Sequence, residues 1–121
     1  MRKSVMVVAL ILMTVSAFGQ PMENGQWLHS LWQASQRALG GTATGVGDAI
    51  DAGTYSGFVW AMEQMGQDQD WFLVPLSSSA GQWEAIVGKY LEAHPEEWNL
   101  HADALVYKAL VAVWPGKRKP L

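Results

Sequence analysis

Apolar residues recur at helical spacing along most of the chain, interrupted by stretches rich in Gly, Pro and polar residues. From Glu23 to Leu39, Trp27, Leu28, Leu31, Trp32 and Ser35 fall on one side of a helix that Asn24 can cap and Gly40-Gly41 ends. Gly40 to Gly47, GGTATGVG, is too rich in glycine for regular structure and reads as a loop. A second helix spans Asp48 to Met65, with Ala52, Tyr55, Phe58, Val59, Met62 and Met65 as its apolar face. Gly53 and Gly57 inside it each cost about 1 kcal/mol relative to Ala. Two arrangements would explain them: another helix approaching closely at that point, or a break near Gly53.

Gly66 to Ser78 reads as a second loop, polar and acidic at first, then apolar at Trp71-Phe72-Leu73-Val74 before Pro75. An extended segment folding its aromatic rings back onto the helices fits this best; a short strand would lack an obvious partner. Ser79 and Gln82 form an S-x-x-Q capping box for a third helix, Ser79 to His94. Trp83, Ile86, Val87, Tyr90 and Leu91 mark its buried stripe, and Pro95 stops it. Asn99 can cap a fourth helix with Leu105, Val106, Ala109, Leu110 and Val113 on its apolar side, ended by Pro115. Short connections make neighbouring helices antiparallel. The fold class is therefore all-α, a compact bundle of four main helices.

The chain's start changes the picture. Arg2 and Lys3 precede an apolar run from Val5 to Val15, and Ala17-Phe18-Gly19 supplies small residues where a signal peptidase reads. Residues 1–19 therefore read as a cleaved signal peptide, with an uncleaved anchor as the alternative. The run is too short for a bilayer span, which needs about twenty apolar residues. The remaining residues, 20–121, form one domain, large enough to bury roughly 60–65% of its unfolded surface. With no Cys and seven Trp, packing must hold it without a disulfide.

Without Arg2 and Lys3 the chain is clearly acidic, and half of its remaining positive charge lies in Lys117-Arg118-Lys119. It lacks the basic stripe of a nucleic-acid binder. An acidic body favours a basic protein partner, or serves solubility alone. His94, Glu97 and His101 have metal-ligand side chains, but Pro95 breaks the helix between them. His94 reads better as a helix C-terminal residue. Ser77, Ser78 and Ser79 sit where serines cap helices, and His29 has no local partner. Asp68 and Asp70 offer two carboxylates for acid–base work, or simply a solvated loop. No Gly-rich phosphate loop occurs, and no cofactor is implied. These observations point to a binding protein rather than an enzyme. Trp83 and Trp98 read as core. Trp60, off the main stripe, is either core or an interface anchor.

Several of these residues carry a family resemblance: Ser56-Gly57-Phe58-Val59, Phe72 with Pro75, the Ser79-to-Gln82 cap, the run Lys89-Tyr90-Leu91-Glu92-Ala93-His94-Pro95-Glu96-Glu97, then Ala104-Leu105-Val106, Ala109-Leu110 and Trp114-Pro115. From the second helix onward the chain resembles the Rap/Tai family of immunity proteins. That resemblance implies a periplasmic protein, exported by its signal peptide and free of the membrane after cleavage. Such a protein forms a homodimer and occludes the active site of a cognate peptidoglycan amidase effector of type VI secretion. It catalyses nothing. Relatives usually carry cysteines where this chain has Tyr55, Leu73 and Gly116, in a bridge that would tie the loop before the third helix to the body. Its loss puts the rigidity of that loop in question. From position and charge, we expect Gln67, Asp68, Gln69 and Asp70, with Trp60, to contact the partner. A small periplasmic stress chaperone or accessory binding protein remains the alternative. Apolar surface released at low pH would mark the chaperone, and metal binding lost in His94→Ala would mark a metalloprotein.

Overall fold

A computed structural model describes residues 23–117. Four helices follow in order: α1 (Gly25–Leu39), α2 (Val46–Asp68), α3 (Ala80–Ala93) and α4 (Ala102–Val113), with a 3-10 turn at Pro95–Glu97 between the last two. The all-α expectation holds. The expected signal peptide lies outside the described residues.

α1 begins as the sequence indicates: the Asn24 side chain accepts the Trp27 N–H at 3.0 Å. α2 starts without such a cap. Gly45 holds the cap position at φ 134°, and Asp48 takes over the capping role one turn in. Its carboxylate accepts the Thr44 N–H at 3.0 Å and two bonds from the Arg37 guanidinium, at 2.8 and 3.0 Å. This fork ties the end of α1 to the start of α2 across the glycine-rich loop.

α2 runs further than Asp48–Met65, reaching Asp68. Gly66 does not end it; this glycine instead leaves room for the Phe72 ring, which packs where a Cβ would stand. The chain turns instead at Gln69-Asp70, with Asp70 at φ 59°, a conformation that Asp tolerates. The glycine expectation is also corrected. α2 is unbroken, and a Cβ at Gly53 or Gly57 would meet nothing within 4 Å. Both glycines face open space. The close approach falls on other glycines, Gly66 under Phe72 and Gly88 of α3 against the face of Trp32.

Extended segment 71–73 does have a partner. Leu73 N–H donates to the Trp114 carbonyl at 3.2 Å, and Gly116 N–H to the Trp71 carbonyl at 3.0 Å, around an antiparallel bridge between Phe72 and Pro115. Backbone hydrogen bonds thus fasten this segment to residues 114–116. Gly116 is required here, since a Cβ would collide with the Asp70 and Trp71 backbone.

Ser79 caps α3 by accepting the Gln82 N–H at 3.2 Å, although no bond returns from the Gln82 side chain among the described residues. Pro95 stops α3, as expected. Asn99 does not cap α4; His101 occupies that position and makes no side-chain cap. The reason is tertiary. Residues 98–102 pair with the start of α1, through Gly25 N–H to Leu100 carbonyl (3.0 Å), Gln26 N–H to Trp98 carbonyl (3.1 Å) and Ala102 N–H to Glu23 carbonyl (3.0 Å). The first amide of α4 is satisfied by the chain before α1 and needs no side chain.

The core gathers Leu28, Tyr55, Phe72, Leu91, Leu105 and Leu110 from all four helices and the 71–73 segment. The stripe of α2 sits slightly round from the expected one. Tyr55, Val59, Glu63 and Gly66 are buried, while Met65 is 44% exposed.

Candidate functional site

The C-terminal end of α2 and the segment after it bring together most residues of interest. Gln67 and Asp68 belong to the last helical turn, and Gln69 and Asp70 form the tight turn. The expected acidic loop is therefore a helix end and a corner. Asp68, Gln69 and Asp70 are exposed. Trp60 is 54% exposed and lies two helical turns before Asp68 on the same flank, with Gln64 between them. Gln67 differs: with its amide nitrogen as donor it reaches Glu63 Oε1 at 3.2 Å and the Val74 carbonyl at 3.3 Å. Its side chain serves the interior rather than the surface.

Glu63 is the residue that sequence reasoning missed. It stands four after Val59 on the buried stripe and is only 1% exposed. Its carboxylate accepts from Gln64 Nε2 at 2.7 Å and from Gln67. Burial raises its pKa, and the Gln64 bond opposes part of that rise. Glu63, Gln64 and Gln67 form the α2 side of a cleft of about 190 Å³, which Val74, Pro75 and Leu76 border on the other side. Leu76 is fully exposed and Leu73 is 47% exposed. Trp83 and Ser78 close the cleft's end, joined by an indole N–H to Ser78 Oγ bond of 2.8 Å. The available signal was a carboxylate interrupting an apolar helical stripe. Met62 and Met65, read as that stripe, concealed it.

The histidine region has a different character. Donor atoms of His94, Glu96 and Glu97 lie within 4.8 Å of one another, while His101 stands apart at the start of α4. Glu97 is already engaged. It accepts the Tyr90 hydroxyl at 2.7 Å and pairs with Lys108. The Lys108 bond, then the Tyr90 bond, holds it below the usual carboxylate range. Burial and Glu97 push the Tyr90 phenol up to about 12. His94 stacks on the Tyr90 ring at 4.0 Å, with Nδ1 2.8 Å from the Tyr90 carbonyl. These contacts form a clamp joining α3, the 3-10 turn and α4.

Ser78, Ser79 and His29 have structural partners. Ser78 Oγ donates to the Pro75 carbonyl at 2.6 Å, Ser79 caps α3, and His29 stacks on Trp98 at 4.2 Å. No serine–histidine hydrogen bond joins them among the described residues.

A family model described as Rap1a immunity proteins matches residues 25–116, a span that covers all four helices and the 71–73 pairing with 114–116. The chain belongs to this family. No curated protein and no solved structure matches it. Membership gives the Rap1a chain an immunity role, and with it a cognate effector protein as its partner. Within the Rap1a fold of this chain, the clamp and the capped helices are scaffold. The α2 end differs in carrying an exposed acidic corner beside a cleft.

Proposed function

We propose that residues 20–121, released in the periplasm by cleavage of residues 1–19, form an immunity domain. It binds a cognate peptidoglycan amidase effector of type VI secretion and covers the effector's active site. The Rap1a match over residues 25–116 carries this reading. Inhibition is by occlusion, and the chain performs no chemistry itself. An acidic surface speeds encounter with a basic cleft rim. Asp68, Gln69 and Asp70 at the α2 corner, with Trp60 on the same flank, make the contact. Gln67 supports them from below. Exposed Leu39 (81%), Val46 (75%) and Ile50 (61%) at the opposite, α1–α2 corner support a homodimer.

The decisive experiment is inhibition of the purified amidase by the signal-free chain, with binding followed by calorimetry. Asp68→Ala combined with Asp70→Ala should weaken binding roughly tenfold, mainly through the association rate and less so at high salt. An unchanged dissociation constant removes the corner from the interface. Sedimentation of the chain alone tests the dimer, and a monomer at all concentrations excludes it.

A further inference from the structure

Glu63 raises a question that scaffold roles leave open. A carboxylate can accept about four hydrogen bonds and is strongly disfavoured in a buried site unless a cation or metal compensates it. Glu63 has two amide donors, Gln64 and Gln67. Two ion pairs form among the described residues, Arg37–Asp48 and Lys108–Glu97, and neither involves Glu63. Yet Glu63, although only 1% exposed, contributes to the wall of a cleft of about 190 Å³. The lip of that cleft carries Leu76, wholly exposed, an apolar side chain with no intramolecular reason to stand in water.

We infer that the Glu63 cleft is a receptor for one basic side chain, an arginine, projected by the partner protein. This rests on the reading that the chain works by binding a protein. A guanidinium supplies a fork of donors that matches a carboxylate. Glu63 is held on a helix and braced by two glutamine amides, so its orientation is fixed before the partner arrives. The cleft mouth is bordered by Val74, Pro75 and Leu76, apolar surface suited to the methylene stem of the incoming chain and to excluding water around it. The acidity of the body favours a basic partner at longer range.

The test separates this site from the identity of the partner. The signal-free protein is titrated with N-acetyl-arginine methylamide, and the Trp83 indole N–H and the Gln64 and Gln67 side-chain amides are followed by NMR. We expect saturable shifts confined to these groups, at least about tenfold weaker binding in Glu63→Gln, and no comparable shifts with the neutral citrulline analogue. The same Glu63→Gln protein, shown by circular dichroism to be folded, should bind the effector at least about tenfold more weakly. The citrulline comparison uses the unaltered protein and stands even if that variant fails to fold. Equal binding of both probes, no binding of either, or an unchanged affinity in Glu63→Gln overturns the site. So does arginine-probe binding that emerges only when Arg118 and Lys119 are replaced by Ser, because the chain's own tail would then be the occupant. Arginine binding without amidase binding retains the cleft and rejects the amidase. Amidase binding that Glu63→Gln leaves intact rejects the cleft and retains the amidase.

Discussion

Tyr55 and Glu63 lie two turns apart on the same buried face of α2, and each brings a polar group into the core. Tyr55 is closed: its hydroxyl donates to the Glu84 carbonyl of α3 at 2.5 Å, its ring meets Trp32 at 5.5 Å, and burial drives its pKa upward. Glu63 is less fully engaged: it receives two amides, keeps spare acceptor capacity and borders a cleft. The difference separates architecture from function along one helix. A buried polar group whose needs are met inside the molecule holds elements together. One whose needs are only partly met costs stability.

The two residues should therefore respond in opposite directions to substitution. Tyr55→Ala should cost about 3–5 kcal/mol, the range for deleting a large buried aromatic side chain. Tyr55→Phe isolates the hydroxyl and should cost about 1 kcal/mol. Denaturant unfolding of both variants checks this; a Phe variant as stable as the parent would mean that the Glu84 bond contributes nothing.

Glu63→Gln should instead raise stability at pH 7 by on the order of 1 kcal/mol, as is common where a functional site is relieved of an unfavourable group. The pH dependence gives the sign. The folded pKa of Glu63 lies above its unfolded value. Its penalty is absent below the unfolded carboxylate value, about 4.3, and complete above the raised folded one. Stability of the parent should fall relative to Glu63→Gln as pH rises through that window. Parallel melting curves from pH 4 to 7 would break the contrast.

The smallest effect belongs to Asp48 at the helix's other end. The Arg37 bond, then the Thr44 amide, pulls its pKa well below the ordinary range. Its stabilisation is present above the unfolded carboxylate value and is lost as pH falls toward the depressed folded one. The pair is solvent-screened, so Asp48→Asn should change global stability little. Hydrogen exchange at Thr44 should nevertheless quicken; unchanged exchange would show that the fork does not order the loop.

Helix number and the faces of α1, α3 and α4 were largely legible because their apolar spacing is regular and the stops Gly40 and Pro95 are strong; Val113, expected on the buried face of α4, is 48% exposed at the helix's last residue. α2 was harder. Apolar residues lie on all its sides, with Ile50 and Trp60 outward and Tyr55 and Val59 inward, so periodicity does not show which face is buried. Its glycines gave a false lead for a related reason. Gly53 and Gly57 have the spacing of a helix contact, yet contact depends on a bulky side chain arriving from elsewhere. Trp32 and Phe72 arrive at Gly88 and Gly66. Asn99 failed as a cap because a distant strand of backbone satisfied α4 first. Asp68 and Asp70 were correctly read as surface, whereas the cleft was illegible because residues 74–78 form it only after the chain folds back over α2.

The pairing of 71–73 with 114–116 has a consequence for how the molecule matures. A disulfide at that joint would need an oxidant to form. Here the joint is made of peptide hydrogen bonds in a chain without a single cysteine. Its closure needs no electron acceptor, and no thiol reductant can undo it, so the joint holds alike in an oxidising and in a reducing compartment.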